Sequence, residues 1–233
     1  TGKGWAPGVA LKNGKKRDLI GKEFNSIKTD PPTKFISNNN YFENFKYFLD
    51  EKKDDQPFFF WLGSHEPHRR YEYQSGTKYG NKEIDEIEKV PDYWPDTENV
   101  KTDILDYAFE IEYFDSHLER VINELENRNL LDNTIIVVTS DNGMPFPRVK
   151  GQVFPFDNRL PLAIRWGKGI KNPGRIINDY VSFSDFAPTF LDLAGIDSEN
   201  HTMKDFSGIS WISIFNEKTI AKKRDYIIIG KER

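Results

Sequence analysis

Asn133-Thr-Ile-Ile-Val-Val-Thr-Ser140, running directly into Asp141-Asn142-Gly143, is the stretch on which the fold turns. From Thr134 the run is β-branched and continuous, with no polar alternation, which suits a central strand buried on both faces of a parallel sheet. Upstream, Pro57-Phe-Phe-Phe-Trp-Leu-Gly63 is a second continuous apolar run, bounded by Pro and Gly, and predicts a second buried strand. Between them, Asp103 to Leu130 predicts a long helix, with Ile104, Ala108, Ile111, Leu118, Val121, Ile122 and Leu125 on one stripe. That stripe passes through Asp115, which is expected to be a structural acid bonded to a backbone amide.

Further out, Asn39 to Lys53 has helical spacing at Tyr41, Phe42, Phe45, Phe48 and Leu49, with Asn residues before it as caps. Gly76 to Asn99 is polar, is broken by Pro91 and Pro95, and reads as a surface excursion. Leu160 to Trp166 predicts a strand with Pro161 near its start, where Pro is tolerated. Ser184 is placed to cap a short helix through Leu193, with Pro188 in its first turn and Gly195 just past its end. Asp225 to Ile229 predicts a last strand, and the first 40 residues predict loop and irregular structure. The order helix, strand, helix, strand, strand, helix, strand argues for an α/β fold, a mainly parallel central sheet with helices on both faces.

The chain has 233 residues, 37% of them hydrophobic and 14% aromatic, enough to bury a core rather than remain disordered. Its 33 basic and 37 acidic residues are well mixed, for a net charge of −4, so there is no basic footprint for nucleic acid. Without cysteine, a disulfide framework and a thiolate metal site are excluded. No apolar run is long enough to predict a membrane span.

In parallel sheets, sites collect at the carboxyl ends of strands, which singles out two loops. After the first predicted strand come Ser64-His65-Glu66-Pro67-His68-Arg69-Arg70, holding two of the four histidines. Imidazole can bind metal or protonate a leaving oxygen, and paired Arg can hold an oxyanion such as sulfate or phosphate. A polar loop with nothing bound is the alternative. After the second strand come Asp141 and Asn142, adjacent hard oxygen ligands that suit Ca²⁺ or Mg²⁺ rather than zinc. A plain Asn-Gly turn is the alternative there. Arg148 and Lys150 follow closely, so cation-binding and anion-binding groups share one loop.

Four segments in order resemble the sulfatase family. Phe58 to His68 resembles its aromatic strand that delivers a Pro-His pair. Phe109 to Leu118 resembles its long helix, which carries an Asp where Asp115 stands. Ile135 to Gly143 resembles its strand ending in Asp-Asn-Gly. Ser182 to Ile196 is similar to its Asp-x-x-Pro-Thr helix. Asp141 through Pro147 looks like the heparan N-sulfatase (sulfamidase) branch, and the closing Gly230-Lys-Glu-Arg233 looks like that branch in bacterial form.

The resemblance implies an alkaline-phosphatase-like α/β fold, here truncated, and a calcium-dependent hydrolase of sulfate esters or N-sulfates on carbohydrate. Asp141 and Asn142 match the late calcium ligands; Mg²⁺ is the other candidate. His68 matches the histidine at the sulfate or leaving group. Lys150 matches the basic residue after Asp-Asn-Gly, and Lys3 the lysine of a Gly-Lys-x-His segment whose histidine is replaced by Trp5. His65, Arg69 and Arg148 are the further substrate-binding candidates. The family's early Asp pair and its formylglycine nucleophile are expected upstream. Residues 1–233 are thus expected to be part of a sulfatase catalytic domain, inactive alone: irregular over about 1–40, core over 41–200, and the start of a C-terminal part over 201–233. A sulfated carbohydrate partner and a periplasmic or secreted location follow from the resemblance. A metal-dependent phosphoesterase or phosphotransferase of the same superfamily and a non-enzymatic carbohydrate-binding relative are the alternatives.

Overall fold

The computed structural model describes residues 1–4, 11–12, 15–16, 21–53, 56–196, 207–217 and 224–230. Trp5 and residues 231–233 of the closing motif lie outside them. The chain divides into two compact units, Thr1–Arg128 and Asn129–Arg233. The sequence carries no composition shift at that point.

In the first unit, β1 (Leu11–Lys12) and β2 (Lys15–Lys16) pair antiparallel, Leu11 opposite Lys16. Helix α1 (Tyr41–Glu51) starts where the sequence places it, because the Asn40 side chain accepts the Glu43 N–H. It buries Tyr41, Phe45 and Leu49. The Pro57–Gly63 run does not form a strand ladder. Phe58 and Phe60 pack on Phe48, with ring centroids 5.7 and 4.8 Å away, while Phe59 and Trp61 are exposed at 73% and 61%. The side chains still alternate as on a strand. Its one bridge among the described residues joins Gly2 to Gly63, in parallel.

Helix α2 (Ser75–Tyr79) and a 3₁₀ turn at Ile84–Glu86 pack against α3 (Glu98–Asn127), with Val90 and Trp94 buried. The segment is otherwise largely exposed, as the expected surface excursion should be, and Gly76, Val90 and Trp94 are its buried anchors. Thr97 caps α3, its side chain accepting the Val100 N–H, so the helix starts ahead of the apolar stripe. Its buried face runs Thr102, Leu105, Asp106, Glu110, His117, Val121, Leu125. That face is rotated from the apolar stripe: Ile111 and Asp115 are exposed, which overturns the expectation of a buried Asp115. Apolar periodicity locates a helix but does not say which polar groups will find partners. Here the Asp106 carboxylate accepts the Gln74 and Gly76 N–H groups, at 2.9 and 2.8 Å, and draws its face inward.

In the second unit, β3 (Ile136–Thr139) pairs antiparallel with β4 (Leu162–Arg165), Ile136 opposite Arg165 and Thr139 opposite Leu162. Between them lies the short helix α4 (Pro155–Asn158). Both strands stand where the sequence predicts them, but their pairing is antiparallel, and β3 is half-buried rather than enclosed.

Ser182 caps a 3₁₀ turn at Phe183–Asp185 that leads into α5 (Phe186–Leu193), and Gly195 ends it at φ 68°, a left-handed conformation that glycine adopts without strain. The cap is two residues before the predicted Ser184. Helix α6 (Ile212–Phe215) packs on α5. Asp185, fully buried, receives the Arg224 guanidinium in two 2.6 Å bonds, the Ile209 and Ser182 amides, and the Trp211 indole. Burial alone would raise its pKa, but Arg224 and these amides hold it below the ordinary value. Asp225 to Ile229 forms no strand, and Tyr226 and Ile228 are exposed. Among the described residues, no helix is long and apolar enough to cross a membrane.

Candidate functional site

The first unit brings Lys3 to the histidine loop. Lys3 donates its backbone N–H to Gly63 O at 2.5 Å, and Lys3 O accepts the Trp61 indole at 3.0 Å. Gly63 stands immediately before Ser64-His65. A Cβ on Gly63 would collide with the Lys3 carbonyl, so only glycine permits this approach.

The loop after Gly63 is organised by Glu66, which is 6% exposed. Its carboxylate accepts the Ser37 N–H at 2.6 Å, the Tyr41 hydroxyl at 2.8 Å and the Ser64 hydroxyl at 2.7 Å. Tyr41 Oη in turn accepts the His65 N–H at 3.0 Å. Burial first, then the Glu66 charge, pushes the Tyr41 hydroxyl far above its ordinary pKa, so it stays a donor at any working pH. The Glu66–Pro67 bond is cis. His65 and His68 are both exposed. His68 Nδ1 lies 2.6 Å from Arg69 O, a contact that makes Nδ1 the donor and leaves Nε2 of the neutral ring as the acceptor. Arg69 reaches Asp103 of α3 through two bonds of 2.8 and 2.6 Å and lies 4.8 Å from the Tyr71 ring centroid.

Beneath the loop, α3 places Glu110 and His117 in the interior. Glu110 Oε1 has no hydrogen-bond partner among the described residues. Burial, then the charges of Glu66 and Asp106, push its pKa up to about 8. Burial, then Arg120, lowers that of His117.

In the second unit, the turn after β3 is organised by Asp157, which the sequence reading did not single out. Asp157 is buried, and its two oxygens accept the Gly143 N–H at 3.0 Å and the Gln152 N–H at 2.8 Å. A Cβ on Gly143 would collide with the Phe156 carbonyl and the Asp157 Cα, which is why glycine closes the Asp-Asn-Gly triplet. Val149 and Phe146 are the buried apolar anchors of the same loop. A signal was present in the sequence: an acid inside Phe-Pro-Phe-Asp157-Asn, among apolar residues, has to find amide partners if the segment packs.

So held, Asn142 Nδ2 donates to Asp141 Oδ1 at 2.8 Å, and Asn142 Oδ1 has no donor among the described residues. Carboxylate and amide oxygens side by side are hard donors that fit Ca²⁺ or Mg²⁺. They supply two of the roughly six to eight oxygens that calcium takes; among the described residues no group of three or more His, Asp or Glu side chains converges to add more. Arg148, with φ 65°, and Lys150 are exposed and make no ion pair among the described residues. Lys3, His65, His68 and Arg69 thus belong to the first unit, and Asp141, Asn142, Arg148 and Lys150 to the second.

Two solved structures share this arrangement of elements. The yidJ protein of Bacteroides fragilis superposes with a TM-score of 0.61 at 22% identity, covering 77% of this chain and 41% of that one. A Bacteroides thetaiotaomicron protein from a genetic locus for glycosaminoglycan metabolism superposes with 0.63 at 20% identity, covering 81% and 41%. They define the fold as the alkaline-phosphatase-like α/β class. The Sulfatase family profile matches residues 8–196, and the chain belongs to that family. Human N-sulphoglucosamine sulphohydrolase is 29% identical over 189 residues, 73% of this chain and 36% of that protein. N-acetylglucosamine-6-sulfatase of Bos taurus is 33% identical over 192 residues, 72% of this chain and 33% of that protein. The chain therefore spans about a third of the length of these two relatives.

Proposed function

We propose that this chain is part of a hydrolase that removes sulfate from a carbohydrate, as an O-ester or N-sulfate, with a divalent cation, Ca²⁺ or Mg²⁺, held in part by Asp141 and Asn142. The observation that carries this is the loop after β3. In a sulfatase-family chain, two hard oxygen ligands share one Asp157-anchored turn with two exposed cations, Arg148 and Lys150, that make no ion pair among the described residues. A dication bound there supplies Lewis-acid polarisation of sulfate oxygens. Lys150 neutralises charge that develops on a sulfate at this loop, and Lys3 is the corresponding cation of the histidine loop in the first unit. His68, with Nδ1 tied to Arg69 O, presents Nε2 to the leaving nitrogen or oxygen and, as imidazolium, gives it the Nε2 proton. His65 and Arg69 in the first unit, and Arg148 in the second, are the substrate-binding candidates. The nucleophile implied by the resemblance, a formylglycine, is not among these residues.

The sulfamidase-like Asp141 to Pro147 segment, together with the named human relative, supports an N-sulfated glucosamine as the first substrate to try. A periplasmic or secreted location fits such a substrate. The test uses the full-length protein on N-sulfated glucosamine, 6-O-sulfated N-acetylglucosamine and an aryl phosphate, each with and without chelator. Release of sulfate that chelator abolishes is the expected result. Phosphate release that exceeds sulfate release would move the protein to the phosphoesterases. Release of neither would leave a carbohydrate-binding relative. The 233-residue chain alone is expected to give no turnover of a fluorogenic sulfate ester above blank.

A further inference from the structure

Immediately after His68, the first unit carries a recess of about 410 Å³ lined by Arg69, Arg70, Tyr71, Tyr73, Asp103 and Asp106. That volume is within the range of small-molecule sites. Its acids are already engaged. Asp103 is taken by both terminal nitrogens of Arg69, and Asp106 by the Gln74 and Gly76 amides. Nearby, Glu72 accepts the Lys34 N–H at 2.8 Å and the Tyr79 hydroxyl at 3.5 Å. Arg70 is different. It is exposed and makes no ion pair among the described residues; its guanidinium lies 5.2 Å from the Phe35 ring centroid. Lys34 Nζ lies over the same ring at 5.4 Å. Arg69 and Asp103 pair with each other and Asp106 is held by amides, so Arg70 is the lining charge without a hydrogen-bond or ion-pair partner among the described residues, with the Lys34 ammonium near the same Phe35 ring.

The walls add what a sugar needs. Tyr73 is 58% exposed, and its hydroxyl meets Asn99 Oδ1 at 3.3 Å. Arg69 is held in place by Asp103 and by Tyr71, so its geometry is set before a ligand arrives. We propose that this recess is a subsite for a second anionic group of the substrate, a carboxylate or sulfate on the sugar adjoining the one that loses its sulfate, with Arg70 as its chief contact. A planar guanidinium pairs with either group through two parallel bonds. One uncommitted guanidinium at a recess of this size favours a small anion over a polyanion. The inference rests on the carbohydrate-sulfatase reading.

The test has two arms on the full-length protein. In the first, kcat/KM is measured for N-sulfated glucosamine and for disaccharides whose second ring is neutral, carboxylated or sulfated. Wild type is expected to prefer an anionic second ring over a neutral one, and Arg70→Gln to reduce that preference about tenfold, while Arg70→Lys keeps part of it. The carboxylated and sulfated arms tell which anion is meant. In the second, calorimetry measures binding of the same disaccharides without the N-sulfate, so turnover is not needed. Arg70→Gln is expected to weaken the anionic ligands about tenfold and the neutral one little. Equal discrimination by wild type and Arg70→Gln, with an unchanged thermal melt, overturns the subsite. Absence of turnover with intact discrimination in calorimetry sinks the sulfatase reading and leaves the subsite standing.

Discussion

Two loops of this molecule are each held by one buried carboxylate, and the two are built differently. Glu66 gathers hydroxyls and an amide from three places, Ser37, Tyr41 at the start of α1, and Ser64 of its own loop. Asp157 takes only backbone amides, from Gly143 and Gln152, within 14 residues of itself. The first is a junction between elements, and losing it disturbs a whole unit. The second is a local clasp, and losing it disturbs one turn. Glu66 also shares its interior with Glu110, whose pKa its charge helps to raise.

That contrast is open to attack, beginning with the largest effect. Glu66→Ala in the full-length protein leaves one buried and two part-buried donors without their acceptor and is expected to cost about 3–4 kcal/mol in urea denaturation. A loss below about 1 kcal/mol would show that Glu66 is no junction. Asp157→Ala is expected to cost about 2 kcal/mol, because two amides lose one shared acceptor. It is also expected to weaken Ca²⁺ binding measured by calorimetry by roughly tenfold or more, since the turn that carries Asp141 and Asn142 loosens. Unchanged affinity would separate the clasp from the ligands.

Glu110 gives a pH signature. Its folded pKa of about 8 lies above the ordinary value of 4.5, so between those values the folded state holds a proton that the unfolded state has released. Stability therefore falls as pH rises through that window. Glu110→Gln is expected to flatten this fall and to gain roughly 2 kcal/mol at pH 8, checked by urea midpoints across the range. A variant curve parallel to wild type would break the argument. Smallest is Asp115→Ala, expected to change stability by no more than about 0.5 kcal/mol, because the side chain is exposed. A larger loss would restore the buried role its sequence position suggested.

Much of the site is legible in the chain itself. Asp141-Asn142-Gly143 after a β-branched run, and His65 and His68 after an aromatic run, are local patterns at strand-like ends. What sequence could not show is which acids hold those loops. Asp157 is 14 residues from the turn it clasps, and Glu66 looks like a site acid beside two histidines, yet it is buried with its oxygens occupied. Asp115 failed for a related reason. Apolar spacing marks a face, but the face that packs on α3 was chosen by Asp106, Glu110 and His117.

By itself, the sequence located α1, β3 and β4 and the residues at their ends, because caps, β-branched runs and glycine stops act over a few neighbours. It also carried the order of motifs that places the chain among sulfatases. Only the tertiary structure decided that β3 and β4 run antiparallel, that Arg69 is committed to Asp103 while Arg70 is not, and that Glu66 and Asp157 serve as clasps. Strand pairing and the satisfaction of a buried carboxylate depend on groups far away in the chain, and no local pattern records who those partners are.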